Sequence, residues 1–197
     1  MGLAFVLMWS SAFTSARVIV AYAPPMASLA LRFLISGGLG VLIALWLGQN
    51  FRLTKAQWKA TIIFGVCQNA LYLGLNFIAM QTVEAGLASI IASSMPLIVA
   101  GLGWAFRGER IAPLGIVGLV AGFAGVALIM GSRLQGGADL MSVGLCVIGA
   151  TALAVATLSV RGASAGGNLL MVVGLQMLLG SAALAVVALM MKKRAEP

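Results

Sequence analysis

Long apolar runs separated by short polar segments are the dominant pattern of this sequence. A helix of about 20 residues, with a rise of 1.5 Å per residue, crosses a hydrocarbon layer of about 30 Å. The pattern therefore predicts seven membrane-spanning helices, at Leu3–Ala21, Met26–Leu47, Trp58–Met80, Ala85–Phe106, Ala112–Gly131, Met141–Val160 and Asn168–Met191.

The fourth predicted span differs from the others because polar residues interrupt it and charged residues end it. Pro96 lies near its middle and cannot donate a backbone hydrogen bond to the carbonyl of Ala92. The span ends at a charged segment, Arg107-Gly108-Glu109-Arg110. A proline and hydroxyl side chains within a span are typical of a helix that lines a polar cavity.

Composition supports a membrane protein. Of the 197 residues, 62% are apolar and 8% are charged, and the mean hydropathy is +1.12. A soluble domain carries about 25% charged residues, so this chain cannot cover a water-facing surface. The predicted fold class is an all-α polytopic membrane protein, a bundle of about seven transmembrane helices.

The net charge is +8, and most of the basic residues lie in short loops between the apolar runs. Such loops are basic on the cytoplasmic side of a membrane, and the pattern argues against nucleic-acid binding. With a cytoplasmic N-terminus, the outer loops between spans contain one basic residue, Arg133. The inner loops contain six, namely Arg52, Lys55, Lys59, Arg107, Arg110 and Arg161. This asymmetry predicts a cytoplasmic N-terminus in the plasma membrane, the inner membrane of a bacterium.

Five of the loop residues are the expected topology anchors, namely Arg52, Lys55, Arg107, Glu109 and Arg110. The basic segment Lys192-Lys193-Arg194 conflicts with this orientation, because seven spans would place it outside. Either one span is assigned wrongly or that segment belongs to a longer loop.

Several classes of site are disfavoured. The chain has no histidine, its four acidic residues are far apart, and Cys67 and Cys146 lie in apolar runs. We therefore expect no enzyme activity, no metal and no cofactor. A phosphate-binding GxxxxGK[ST] loop is also missing, so transport would not use ATP.

The sequence also predicts an internal repeat. When the chain is shifted by 144 residues, Leu31-Arg32-Phe33-Leu34 aligns with Leu175-Gln176-Met177-Leu178. A unit of five spans has an odd number of crossings, so a second copy enters the membrane inverted, which is a transporter architecture. The predicted parts are a complete first repeat (1–131), a loop (132–140) and the first two spans of a second repeat (141–197).

The ordered motifs resemble the EamA-like branch of the drug/metabolite transporter superfamily. They are Trp9-Ser10-Ser11-Ala12-Phe13, Arg32-Phe33, Tyr72, Ala85-Gly86-Leu87-Ala88-Ser89, Pro96 and Gly108-Glu109-Arg110. The resemblance implies a ten-span transporter with two inverted five-span repeats around a central cavity. It also implies ATP-independent export of metabolites, amino acids or drugs, and this chain would be a form truncated after the seventh span.

Polar residues within the spans are the candidates for a substrate pathway. On the third span, Asn69, Tyr72 and Asn76 share one face, where they either line a cavity or bond neighbouring helices. Arg32 either pairs with an anionic substrate group or extends to the headgroups, and Arg17, nearer a span end, is expected to extend. The full predicted pathway is Trp9, Ser11, Thr14, Arg32, Asn69, Tyr72, Asn76, Ser89, Ser93 and Pro96.

Glycines on the fifth span follow a spacing of three, four and three residues, at Gly115, Gly118, Gly122 and Gly125. Small residues in this spacing allow close helix approach, either within the bundle or in a homodimer.

The sequence thus predicts a transporter of a small-molecule substrate in the lipid bilayer, working by alternating access. The alternative is an inactive fragment or a non-transporting membrane subunit.

Overall fold

The computed structural model describes residues 2–135, 137, 139–160 and 166–195, and the regular structure in this part of the chain is helical. The helices are α1 (Gly2–Tyr22), α2 (Pro25–Trp46), α3 (Lys55–Ala79), α4 (Ala85–Ser93), α5 (Met95–Arg107), α6 (Pro113–Gln135), α7 (Leu140–Ser159) and α8 (Leu169–Ala195).

The predicted all-α membrane fold is confirmed. Six helical segments of the described residues are long and apolar enough to cross a membrane. Five of them are α2, α3, α6, α7 and α8, and the sixth consists of α4 and α5 together. The first predicted span forms α1, which has 21 residues. Helix boundaries follow the apolar runs because each run is as long as the hydrocarbon layer requires.

Local sequence signals set several helix starts. At the start of α3, the Thr54 side chain accepts from the Gln57 backbone N–H (3.2 Å), and Gln57 Oε1 accepts from the Thr54 N–H (2.8 Å). This reciprocal capping box satisfies two backbone donors. Helix α2 starts at Pro25, where a missing N–H costs nothing.

Helix α3 lies at the centre of the bundle. It packs against α8 on one side and α7 on another, and α7 also contacts α4 and α5. The main buried cluster joins side chains from both halves of the chain, including Phe33, Phe77, Ile91, Leu153 and Leu184. Helix α6 is peripheral, because none of its most apolar 18-residue stretch is buried.

The pair α2 and α8 forms the most extensive helix contact. Glycines allow the two backbones to approach closely. A Cβ added at Gly37 would lie 2.9 Å from the Gly174 carbonyl oxygen, and one at Gly174 would lie 2.9 Å from the Val41 nitrogen. The Ser181 hydroxyl donates to the Ala30 carbonyl (2.7 Å) across the same interface. The pair is antiparallel, since positions that rise along α2 contact positions that fall along α8.

Among the residues that the structure describes, two spans contain irregular backbone. The middle of α3, Gly65–Tyr72, is a π-helix. The fourth span is divided at Ser94 into α4 and α5, and Leu97 N–H donates to the Ser94 carbonyl (2.9 Å) across the break. The irregularity predicted from Pro96 therefore appears as a break between two helices. Irregular backbone at membrane depth is found where it is buried in protein or lines a cavity.

Candidate functional site

Two amide side chains of α3, those of Asn69 and Asn76, are buried and bonded to backbone carbonyls. Asn69 donates from Nδ2 to the Gln176 carbonyl of α8 (2.9 Å). Asn76 donates from Nδ2 to the Tyr72 carbonyl of its own helix (2.8 Å). The accessible fractions of Asn69, Tyr72 and Asn76 are 5%, 3% and 1%. Asn69 thus makes an interhelical hydrogen bond, one of the two roles that the sequence leaves open, whereas Asn76 bonds within its own helix.

These three residues meet two different neighbours. Asn69 packs on α8, where a Cβ added at Gly180 would lie only 2.3 Å from the Asn69 Cβ. Asn76 packs on α7, where a Cβ added at Gly149 would lie 3.4 Å from Asn76 Nδ2. The π-helical turn alters the rotation between residues, so the face predicted from α-helical spacing is divided between two interfaces.

The described residues form an open pocket of about 390 Å³ between α5, α7 and the segment that follows α5. Its apolar wall comes mainly from α5 and its polar groups are those of Glu109, Arg110 and Thr157. The complete lining is Met95, Pro96, Val99, Ala100, Glu109, Arg110, Ile111 and Thr157. The pocket thus joins one predicted pathway residue, Pro96, to two predicted topology anchors.

Two glycines position the Glu109 carboxylate at this pocket. Gly108 ends α5 in the left-handed conformation (φ 64°), which a side chain would disfavour. The Glu109 N–H then donates to the Gly103 carbonyl (3.2 Å). A Cβ added at Gly103 would lie 2.6 Å from Glu109 Oε2. The carboxylate is therefore folded back against α5, 3.9 Å from Arg107 Nε.

Two arginines each cap a neighbouring helix, at opposite ends of the bundle. The Arg107 side chain donates to the Leu158 carbonyl in the last turn of α7. Arg17 donates to the carbonyls of Met80 and, at 3.1 Å, of Val83, just after α3 ends. A cation is favourable at a helix C-terminus, where carbonyls lack partners. Arg17, expected to extend to the headgroups, instead joins α1 to the end of α3.

The remaining predicted pathway residues whose side chains the structure describes do not line the pocket. Ser11, Thr14 and Arg32 are exposed. Ser89 and Ser93 donate to carbonyls of their own helix, those of Gly86 (2.8 Å) and Ile90 (2.7 Å). The side chain of Trp9 lies outside the described residues.

The anchors Arg52 and Lys55 are exposed at the end of the bundle where α3 begins. Their loop is bonded to the start of α8. The Met171 N–H donates to Gln49 Oε1 (2.9 Å), and the Asn50 N–H donates to Asn168 Oδ1 (3.1 Å). Arg161, another basic residue of the predicted inner loops, lies outside the described residues.

A polar cluster joins the start of α7 to the turn after α3. The Ser142 hydroxyl donates to Asp139 Oδ2 (2.6 Å), and the Thr82 hydroxyl donates to Ser142 Oγ (2.7 Å). Asp139 also accepts from the backbone N–H groups of Ser142 (3.1 Å) and Met141 (3.4 Å). These hydrogen bonds, the Ser142 hydroxyl first, lower the pKa of the Asp139 carboxyl below its ordinary value.

In the part of the chain that the structure describes, no three His, Cys, Asp or Glu side chains lie close enough together to hold a metal ion. The acid–base groups at the pocket are Glu109 and Arg110. Their charges suit binding of a ligand with groups of both signs.

Sequence reasoning did not identify most of the pocket wall. Met95 and Val99 are spaced like one helix face, which was a usable signal. Thr157 is more than forty residues away from them in sequence, and its proximity depends on the packing of α5 against α7. The contact between Glu109 and Gly103 likewise depends on the turn at Gly108.

Comparison with known proteins gives one family match and several transporter relatives. Residues 1–131 match the EamA-like transporter family. The chain is 30% identical over 176 residues to the uncharacterized transporter YvbV of Bacillus subtilis, covering 89% of the chain and 57% of that relative.

Two further relatives are similar over shorter regions. An uncharacterized transporter of Archaeoglobus fulgidus is 32% identical over 130 residues, covering 63% of the chain and 44% of the relative. The aromatic amino acid exporter YddG of Ancylobacter novellus is 26% identical over 140 residues, covering 68% and 46% respectively. The chain spans about half the length of these curated relatives. No solved structure gives a significant match.

Proposed function

Because this chain belongs to the EamA-like transporter family, we propose that it moves small molecules across the plasma membrane by ATP-independent alternating access. The chain is an integral membrane protein of a family whose relatives are named as transporters. Small metabolites, amino acids and drugs are the proposed substrate classes, with export as the direction. The named activity of one relative makes aromatic amino acids the first compounds to test.

The observation that carries the mechanism is the break in the fourth span at Ser94–Pro96. Helix α4 ends at Ser93 and α5 begins at Met95, and Pro96 has no N–H for the Ala92 carbonyl. Discontinuous spans near the membrane midplane are typical of secondary transporters, where they form binding sites and joints. We propose that α4 and α5 change their relative angle at this break during transport.

The contacts between α2 and α8 support the proposed inverted repeat. Helix α8 starts at Leu169, which lies 144 residues after Pro25, the start of α2. The same shift relates Ala30 to Gly174 and Gly37 to Ser181. Ala30 contacts Ser181 and Gly37 contacts Gly174, so the shift exchanges these two contacts. An antiparallel helix pair related by a two-fold axis has this property, and inverted repeats place such an axis in the membrane plane.

We also propose that the bundle end containing Arg52, Lys55 and Arg107 faces the cytoplasm, because basic loops favour that side. Single cysteines at Lys55 and Thr82, in a background without Cys67 and Cys146, test this orientation. A membrane-impermeant maleimide added to intact spheroplasts is expected to label the Thr82 position only. Labelling of the Lys55 position alone would show that the chain has the opposite orientation.

Counterflow in proteoliposomes tests the transport proposal. The purified chain is reconstituted into vesicles loaded with unlabelled compound, and entry of the labelled compound is measured without ATP. Aromatic amino acids, aliphatic amino acids and cationic drugs form the panel. Saturable counterflow of at least one compound is expected. A folded, correctly inserted protein that exchanges no compound of the panel would contradict the proposal.

A pair of proline variants tests the role of the break. Pro96→Ala restores a backbone donor in the fourth span and is expected to lower the exchange rate without lowering thermal stability. Pro113→Ala is the matched control, because Pro113 is the first residue of α6, where its missing N–H has no partner to lose. Equal exchange by wild type and both variants would remove the break from the mechanism.

A further inference from the structure

The pocket between α5 and α7 carries opposite charges at one end and an apolar wall along its length. Glu109 and Arg110 lie at the charged end, and Met95, Val99 and Ala100 belong to the wall. A volume of about 390 Å³ is within the range of small-ligand sites, about 300–1,000 Å³. A ligand that matches this lining has a cationic group, an anionic group and an apolar chain.

The charged end lies where the span leaves the hydrocarbon layer. Trp104 and Phe106 in the last turn of α5 are exposed by 57% and 81%, as expected for an aromatic belt at headgroup level. Glu109 folds back to the level of Gly103. Pro96, at the other end of the pocket, precedes Gly103 by seven residues, about 10 Å along a helix. The apolar wall therefore extends from the headgroups into the hydrocarbon layer.

The position of the Glu109 carboxylate is built into the fold. It depends on the left-handed turn at Gly108 and on the missing side chain at Gly103. Arg107 lies 3.9 Å from Glu109 but also donates to the Leu158 carbonyl, so its guanidinium is shared between the two. Arg110 extends into the pocket lining from an exposed position.

From this arrangement we propose that the pocket binds a zwitterionic aminophospholipid of the phosphatidylethanolamine type. The primary ammonium donates to the Glu109 carboxylate, the phosphate pairs with the Arg110 guanidinium, and the start of one acyl chain lies along Met95 and Val99. A phospholipid presents its charges at headgroup level and its chain inward, the same order as the pocket. A small soluble zwitterion would leave much of the wall uncovered.

Differences in headgroup chemistry predict that the pocket binds phospholipids selectively. Phosphatidylcholine has a quaternary ammonium without N–H donors, so it cannot hydrogen-bond to Glu109. Phosphatidylglycerol has no cation for Glu109. Of the three lipids, only phosphatidylethanolamine can form this charge-assisted hydrogen bond, a strong kind of bond. We therefore expect it to bind about tenfold more tightly than the other two.

Native mass spectrometry of the delipidated full chain in detergent tests this order. The three lipids are titrated with identical acyl chains, and soluble phosphoethanolamine and phenylalanine are added as competitors without lipid tails. The competitors are expected to displace no lipid. Equal binding of the three lipids, or displacement by either competitor, would overturn the proposal, and the second result would make the pocket a site for soluble zwitterions.

Paired variants assign the binding to these residues. Glu109→Gln is expected to remove the preference for phosphatidylethanolamine over phosphatidylcholine, and Arg110→Gln to weaken both lipids about tenfold. Glu84→Gln, an exposed acid at the start of α4 and therefore at the other end of the fourth span, is the control and should change neither.

A glycine pair keeps the test valid if Glu109→Gln does not fold. Gly103→Ala displaces the carboxylate without removing its charge and should reduce the lipid preference. Gly101→Ala lies in the same helix with no atom within 4 Å of the added Cβ and should not. An unchanged preference in folded Gly103→Ala protein would contradict the proposed role of Glu109. These readouts are independent of transport.

Discussion

At the residue scale, polar side chains inside this bundle are bonded to backbone carbonyls. Asn69, Asn76 and Ser181 each donate to a carbonyl, and two of these bonds join different helices. An unpaired amide or hydroxyl in hydrocarbon costs several kcal/mol. The bonds remove that cost, so these residues are compatible with a stable bundle whether or not they contact substrate.

Replacing Asn69 tests whether it has more than this packing role. Asn69→Ala removes one interhelical hydrogen bond, and we expect it to lower the free energy of unfolding by only about 0.6 kcal/mol, the average for such bonds in a membrane protein. Unfolding in mixed micelles measures stability and counterflow measures transport. A loss of exchange far greater than the loss of stability would assign Asn69 to the substrate pathway.

Asp139 makes a pH-dependent contact just before the membrane-spanning helix α7. Its pKa is lowered in the folded protein, chiefly by the Ser142 hydroxyl. The ionised Asp139 carboxylate therefore stabilises the folded protein fully above the ordinary aspartate pKa of about 3.9. This stabilisation is lost as the pH falls through the lower pKa of Asp139 in the folded protein. We expect the thermal midpoint of the wild type to fall in this acid range more steeply than that of Asp139→Asn. Asparagine still caps a helix, so parallel pH profiles would contradict the expectation.

At the element scale, glycine decides which helices approach each other. Helix α8 meets α2 at Gly174, and it meets α3 at Gly65 and Gly180. In lipid there is no hydrophobic effect to draw helices together, so close packing of small residues and hydrogen bonds must stabilise the contact. Helix α8 lies between α2 and α3 because its small residues occur on both sides.

A single added methyl group tests this packing. A Cβ at Gly180 would lie 2.3 Å from the Asn69 Cβ and 3.2 Å from the Gly65 carbonyl oxygen. We expect Gly180→Ala to lower the free energy of unfolding by about 1–3 kcal/mol through overpacking. Gly38→Ala in α2 has open space around its Cβ and should be neutral or stabilising by up to about 1 kcal/mol, since alanine favours helix. Equal midpoints for both variants would contradict the close approach.

At the scale of the whole molecule, α6 is attached to the edge of the bundle. The four glycines of its predicted contact stripe differ in what surrounds them. A Cβ at Gly122 would lie 2.7 Å from Leu97 Cδ1, and one at Gly115 would lie 2.8 Å from Ile111 Cγ2. No atom lies within 4 Å of a Cβ at Gly118 or Gly125. Gly122 thus serves a contact within the chain, and Gly118 and Gly125 remain candidates for the other interpretation, a homodimer contact.

Leucine substitutions separate these two roles. Gly122→Leu is expected to lower thermal stability because Leu97 occupies the space. The double variant with leucine at Gly118 and Gly125 is expected to keep that stability and to lose dimerisation. Sedimentation in a density-matched detergent gives the oligomeric state. A wild-type chain that is monomeric at every protein-to-detergent ratio would refute the dimer prediction.

Much of the fold, but little of the site, was predictable from the sequence. The span boundaries agree because the transfer of a continuous apolar run into hydrocarbon depends on local composition and length. The break near Pro96 was predictable because proline acts on its own helix. The neighbours of Asn69, the pocket wall at Thr157 and the cap provided by Arg17 depend on residues distant in sequence, for which a single chain gives no local signal.

The sequence by itself determined that this is a helical membrane protein, where its spans lie to within a few residues, and that Pro96 interrupts the fourth span. The order of its motifs along the chain also indicated the family. Only the tertiary structure decided that the polar face of α3 is divided between α7 and α8, and that Glu109 folds back against Gly103. The reason is physical: insertion into the membrane is governed by each segment's own composition, whereas helix partners are selected by shape and hydrogen bonds between segments.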